Sequence, residues 1–184
     1  MDYLSKDKFL VIDNFFDDFE YILPTLKAYP QWKKDEHPQA GAAGTWPGKR
    51  SMNIMEVDPA MGAVFMMQAR PYLQRNASID LFTHLRLDSD NEEDGIHTDA
   101  PFALSCIVYL SETNYSSGTV FYTGNPALGG EPMAHVGFKQ NRAVFFSADM
   151  HHGSMHNFGN SKEDGRLTLN MFSLAKKRGG CDCG

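Results

Sequence analysis

The sequence predicts an α+β fold, with N-terminal helices packed on one outer face of an antiparallel sheet roll. Two observations carry this expectation. The first third reads as mainly helical around one early strand, and from Ile79 onward the pattern becomes at least six short strands divided by turns rich in Asp, Asn, Gly and Pro. The 184 residues, 42% hydrophobic, suit one globular domain over 1–184, with the roll at about 79–175 and a flexible tail at about 176–184.

The elements follow in chain order. Lys8 to Ile12 (KFLVI) suits a strand, and Asp13-Asn14 supplies a turn. A helix is expected from about Asp17 to Tyr29, with Pro24 as a kink or local break. The next helix starts at Asp58, a good N-cap, with Pro59 suited to the first helical position. Met61, Val64, Phe65, Tyr72 and Leu73 then recur at helical spacing on one face and read as core, while Pro71 leaves the helix end open. Strands are expected at Ile79–Leu87, Phe102–Leu110, Thr119–Thr123, Met133–Val136, Ala143–Ser147 and Leu167–Leu174. The stretches DSDNEEDG, SETNYSSG, GNPALGGEP and FGNSKEDG read as the breaks between them.

A formal net charge of −6 argues against a nucleic-acid or anionic-membrane partner held by bulk charge. Three cysteines do not make a disulfide framework: Cys106 reads as a small buried hydrophobe, and Cys181 and Cys183 as part of a disordered glycine-rich tail. No apolar run approaches the ~20 residues of a membrane helix. The N-terminus MDYLSKDK lacks a secretory h-region, so a cytoplasmic protein with reduced thiols is expected.

Within the strand-rich part, His97-Thr98-Asp99 places an imidazole and a carboxylate two residues apart. On extended chain these point to the same side, so both can reach one metal ion. Two neutral imidazoles and one carboxylate, with open positions left over, is the facial arrangement used for Fe(II) in oxygenases. Alone the pair says little, since a chain of this composition yields about half a chance match to His-x-Asp. The third ligand needs a histidine from a distant strand, and His151 and His152 follow the strand-like RAVFF. Adjacent residues face opposite ways, so at most one of the two meets the metal. His37, His84, His135 and His156 read as ordinary surface or hydrogen-bonded histidines. Further on, Arg166 and Thr168 share one face of the last strand, where a guanidinium beside a hydroxyl suits a carboxylate.

The order His-x-Asp, distal His, then Arg-x-Thr resembles the 2-oxoglutarate and Fe(II)-dependent oxygenases, especially their prolyl-hydroxylase-like branch. The resemblance covers roughly Leu81 to Leu174 through five ordered segments: GIHTDA, CIVYLSE, SSGTVFYTG, NRAVFFSADMHHGS and GRLTLNMFSL. The 53-residue step from Asp99 to His152 lies in the family's usual range. The resemblance implies a double-stranded β-helix, or jelly roll, with the helices on one sheet. It further implies Fe(II) held by His97, Asp99 and His152, the register from Arg142 favouring His152 over His151. The cosubstrate 2-oxoglutarate falls to Arg166 and Thr168, with Tyr109 matching a tyrosine that also contacts it in some relatives; ascorbate is the implied reductant. Halogenating relatives lack the metal carboxylate, so Asp99 points to hydroxylation. FLVIDNFF looks like the opening strand of such enzymes, and WPGKRS is similar to a Pro-Gly-x-Arg segment of some small members, where Trp46 and Arg50 either sit at the substrate entrance or pack and cap a loop, the favoured reading being packing.

Two other readings fit parts of the pattern. A cupin-like metalloprotein would bind metal without 2-oxoglutarate, and a non-catalytic roll would bind a ligand or a partner without metal. Both stay open, though neither accounts for the ordered run from His97 to Thr168 as well as the oxygenase reading does. The substrate, a small molecule or a peptide such as one bearing proline, has no readable code in the loops at Asp35–Arg50, Asp88–Gly95 and Gly124–Glu131, and the oligomeric state has none either.

Overall fold

A computed structural model describes residues 8–38, 46–93 and 95–174; the tail with Cys181 and Cys183 lies outside them. Nine strands form two antiparallel sheets among the described residues. The larger has the order β1-β7-β4-β9-β3-β2, from β1 (Phe9–Ile12), β7 (Ala143–Ser147), β4 (Leu104–Tyr109), β9 (Arg166–Leu174), β3 (Ser78–Arg86) and β2 (Lys49–Arg50). The smaller has the order β6-β5-β8, from β6 (Pro132–Phe138), β5 (Asn114–Tyr122) and β8 (His152–Met155). Three helices, α1 (Phe19–Ala28), α2 (Ile54–Val57) and α3 (Pro59–Ala69), precede most of the sheet.

Alternation along the central strands decides what lies on each side of the larger sheet. Ile79, Leu81 and Leu85 of β3, Leu104, Cys106 and Val108 of β4, and Leu167, Leu169 and Met171 of β9 join Leu26, Ile54, Met61 and Phe65 of the helices in one buried cluster. Leu26, Ile54 and Phe65 have no exposure. Full burial of such a side chain stabilises by about 1.5–3 kcal/mol, so these residues fix the helices to that face. On the opposite face a second cluster joins Tyr109, Val144 and Phe146 to Phe121, Val136 and Phe138 of the smaller sheet. The two sheets therefore pack on each other at one end. At the other, the intervening positions of β3 and β9 line a cavity.

The capping residues act as their chemistry predicts. Asp58 caps α3 by accepting from the Met61 amide at 3.1 Å, and its second oxygen accepts from the Tyr29 hydroxyl at 2.7 Å. Pro24 stays inside α1. Three local expectations are corrected. Val64 is 36% exposed, because the buried stripe of α3 is Met61, Gly62, Phe65 and Ala69 and Val64 sits roughly 100° round the helix from its centre. Tyr72 and Leu73 fall beyond the α-helix, which gives way to a 3₁₀ turn at Arg70–Tyr72 around Pro71. The stretch SETNYSSG is largely strand, since β5 already starts at Asn114 and absorbs an irregularity before Gly118.

Candidate metal centre and cosubstrate cavity

His97 and His152 are brought together by backbone pairing. Each donates its amide to the other's carbonyl, at 3.0 and 2.9 Å, forming an antiparallel bridge at the start of β8. Directly opposed residues send their side chains to the same face, and the two rings lie 4.5 Å apart between centroids. A third bond, from the Asp99 amide to the Ala148 carbonyl at 2.8 Å, ties the segment, two residues further on, to the chain that leads into β8. Asp99 then lies 3.5 Å from Nε2 of His97 through one oxygen and 3.5 Å from Nε2 of His152 through the other. One ligand atom from each of the three falls within 4.8 Å of the others. His151 is not part of the group, as the alternation of adjacent residues requires.

The donor chemistry fits a divalent cation. Nδ1 of His97 lies 3.0 Å from the Gly95 carbonyl, and Nδ1 of His152 lies 3.0 Å from that of Met150. A carbonyl only accepts, so both Nδ1 atoms carry a proton and both Nε2 atoms face Asp99, where each can ligate a metal once it carries none. Burial pushes the Asp99 carboxyl upward, yet the bond to His97, the His152 charge and the bond from Ser105 outweigh it and hold it below the usual range. The Ser105 hydroxyl donates to Asp99 at 2.6 Å. Burial lowers His152, so it stands neutral at pH 7, as a ligand must. The bond to Asp99 raises His97 in spite of burial, so a metal would compete there with a proton that this exposed partner holds more firmly than His152 does. Two imidazole nitrogens and one carboxylate, converging from one side, suit Fe(II) with positions left open toward the cavity.

That cavity, of about 1040 Å³, is lined by the triad together with Arg86, Thr119, Arg166 and Thr168. Arg166 and Thr168 are both nearly fully buried. The Arg166 guanidinium donates to the Gly118 carbonyl at 3.2 Å and lies 5.5 Å from the Phe138 ring centre. Thr168 donates to the His84 carbonyl at 3.3 Å. His84 itself is driven well below its ordinary pKa by burial and by Arg50, Arg86 and Arg166, so it adds no charge to the cavity. Tyr109 does not line it. Its hydroxyl donates to Thr119 at 2.9 Å from the inter-sheet core, and Thr119 is the residue that reaches the cavity wall.

Sequence reasoning passed over Ser105, Thr119 and Arg86. Each is a polar residue on the cavity-facing positions of a strand whose other face is apolar, and that alternation was the available signal. Arg86 donates to the Ser154 hydroxyl at 3.0 Å and to the Asp90 carbonyl at 2.7 Å, linking β3 to β8. Trp46 and Arg50 pack on each other, the guanidinium carbon 4.5 Å from the ring centre, and both line the same cavity.

No protein-family model matches the chain, and no curated protein matches its sequence. Solved structures do match in fold. The α-ketoglutarate-dependent epimerase SnoN from nogalamycin biosynthesis is 14% identical at a TM-score of 0.61, covering 92% of this chain and 78% of SnoN. HygX from Streptomyces hygroscopicus, solved with nickel and 2-oxoglutarate, is 11% identical at a TM-score of 0.61, over 91% of this chain and 83% of HygX. A prolyl-4-hydroxylase from Pseudomonas putida is 11% identical at a TM-score of 0.55, over 92% and 93%. The chain thus has the fold of 2-oxoglutarate and Fe(II)-dependent oxygenases, prolyl 4-hydroxylases among them.

Proposed function

We propose that this protein is an Fe(II)- and 2-oxoglutarate-dependent dioxygenase that hydroxylates a small molecule or a prolyl residue, built on a double-stranded β-helix. The observation that carries the proposal is the convergence of His97, Asp99 and His152 on one wall of a cavity that also holds the buried pair Arg166 and Thr168. His97, Asp99 and His152 would hold the iron. Bound iron supplies oxygen activation coupled to the conversion of 2-oxoglutarate to succinate and carbon dioxide.

The residues divide the remaining work by position and charge. Fe(II) with one aspartate leaves a site of net charge +1, which attracts a dianionic cosubstrate. Arg166 offers a planar fork of donors to the distal carboxylate, and Thr168 adds a hydroxyl beside it. Burial of both makes those charge-assisted bonds count. Tyr109 acts here through Thr119, whose hydroxyl it holds. Ser105 keeps Asp99 ionised and oriented, leaving its carboxylate unable to rotate away from the two imidazoles. A metal carboxylate in this position favours hydroxylation over halogenation.

The test is succinate release. Protein supplied with Fe(II), 2-oxoglutarate, oxygen and ascorbate as reductant should form succinate slowly without substrate. A cupin-like metalloprotein would bind Fe(II) and leave 2-oxoglutarate intact, and a ligand-binding roll would neither bind Fe(II) nor consume 2-oxoglutarate.

A further inference from the structure

Arg50 stands in an unusual setting for a cation. Its guanidinium carbon lies 4.5 Å from the ring centre of Trp46, 5.1 Å from that of Phe82 and 5.6 Å from that of Phe172. Its Nε is sealed from solvent without a hydrogen-bond partner. The backbone of Arg50 is fixed on both sides, by exchange of bonds with Trp32 at 2.9 and 3.0 Å and by pairing with His84 in β3. Burial lowers its pKa to about 10, with the Asp99 charge opposing that shift, so the group remains charged at neutral pH. No salt bridge neutralises it among the described residues. Glu56 and Asp80 line the same cavity, but Asn53 holds them, at 3.3 and 3.0 Å. A half-buried guanidinium caged by rings, with its Nε donor sealed and unfilled, is costly, and an oxyanion is the ligand that offsets the cost.

The direction of its side chain separates it from Arg166. The Arg50 backbone pairs with His84, which pairs in turn with Thr168, but its guanidinium reaches back to Phe82 and Phe172, whereas that of Arg166 meets Gly118 and Phe138 of the smaller sheet. Asp99 belongs to the Phe172 end, because it is bonded to Ser105 and Ser105 pairs with Phe172. The exposed Lys34, 6.0 Å from the Trp46 ring centre, adds a second positive charge at the cavity mouth.

Resting on the oxygenase reading, we propose that Arg50 is the substrate-specificity residue: the substrate carries a carboxylate or phosphate that pairs with Arg50, and an apolar or planar portion that lies among Trp46, Phe82 and Phe172. Arg50 contributes two parallel donors, and the three rings give it a rigid apolar frame that excludes water from the pair. The arrangement aims the rest of the substrate at Asp99 and the open side of the triad.

The test uses three fragments, phenylacetate, phenyl phosphate and the neutral phenylacetamide, titrated into the metal-free full chain by ligand-observed NMR. The wild-type protein should bind at least one acid tenfold or more tightly than the amide, a comparison that requires no variant. Whichever acid binds better identifies the oxyanion. Arg50→Gln should remove that preference and leave amide binding unchanged, Arg50→Lys should retain part of it, and Arg166→Gln should leave it intact. Equal affinity for acid and amide, no acid binding by the wild type, an acid preference that survives Arg50→Gln, or one lost only in Arg166→Gln would each overturn the proposal. Succinate release in a parallel assay separates the two readings. Its failure alongside an Arg50-dependent acid preference removes the oxygenase and keeps the anion site; the converse removes only the role of Arg50.

Discussion

At Asp99, one carboxylate faces two imidazoles through its two oxygens, and a hydroxyl from Ser105 locks it there. Asp99→Ala and His97→Ala should therefore abolish binding of a single divalent cation while leaving a cooperative thermal transition, because neither side chain belongs to either buried apolar cluster. Isothermal titration with Co(II) or anaerobic Fe(II) reads the first effect, and circular dichroism the second. His152→Ala should lose the metal whereas His151→Ala should keep it; the opposite result would move the distal ligand by one residue and invert the strand register argued here. Arg166→Ala removes charge-assisted bonds worth about 1.5–3 kcal/mol, so the 2-oxoglutarate requirement should rise about 10- to 100-fold. An unchanged apparent affinity would place the cosubstrate elsewhere.

The elements supply the site through their edges and turns. Gly118 in β5 has φ +150°, and a Cβ there would collide with the Val136 carbonyl oxygen of β6. Its own carbonyl holds Arg166, so Gly118→Ala should weaken 2-oxoglutarate binding from the opposite sheet with metal affinity intact. Asn141, before β7, adopts φ +58° and exchanges side-chain bonds of 2.9 Å with both the amide and the carbonyl of Phe16. Asn141→Ala should destabilise by about 2–4 kcal/mol in urea, through two lost buried bonds and a strained backbone. Asp13, after β1, pairs with Arg142 and Lys139, and the bonds from these hold its carboxyl near 2. Its contribution should be complete above pH 3.8, the ordinary value, and vanish as pH falls toward 2. The melting difference between wild type and Asp13→Asn should follow that window and shrink in high salt, as expected for a partly exposed pair.

Legibility in the sequence also varied by element. The period of two placed His97 with Asp99 and Arg166 with Thr168 on common faces, because alternation survives any twist or loop length. Ala143–Ser147 was readable to the residue since its first four positions, AVFF, are apolar and the segment is bounded by polar turns. β8 was not readable: HGSM contains a glycine and little β-branched or aromatic character, and its pairing with β5, reinforced by the bridge to His97, makes it a strand. The same holds for β2, two residues long, whose existence depends on β3 and Trp32. Arg50 read as a packing residue because nothing local distinguishes a caged guanidinium from a surface one. The three rings around it come from positions 46, 82 and 172.

For the molecule as a whole, the division of the larger sheet into an apolar helix-covered face and a polar cavity face explains why one end is packed and the other holds chemistry. The chain's net charge of −6 does not describe the cavity, where Lys34, Arg50, Arg86 and Arg166 outnumber Glu56, Asp80 and Asp99 in the lining. A local field of this sign favours acids as ligands irrespective of the bulk charge. No helix among the described residues is long and apolar enough to cross a membrane. The fold likeness to SnoN, HygX and the Pseudomonas putida prolyl-4-hydroxylase spans nearly the whole chain, yet at 11–14% identity it carries the architecture alone. The assignment of chemistry therefore depends on the side chains.

The most direct measurement is an anaerobic optical titration. Fe(II) added alone should give no visible band. Subsequent 2-oxoglutarate should produce the weak charge-transfer absorption of an iron–keto-acid chelate, saturating at one iron per chain and absent in Asp99→Ala. A wild-type protein that binds Fe(II) but develops no band with excess 2-oxoglutarate, or an Asp99→Ala protein that develops the same band, would contradict the shared site.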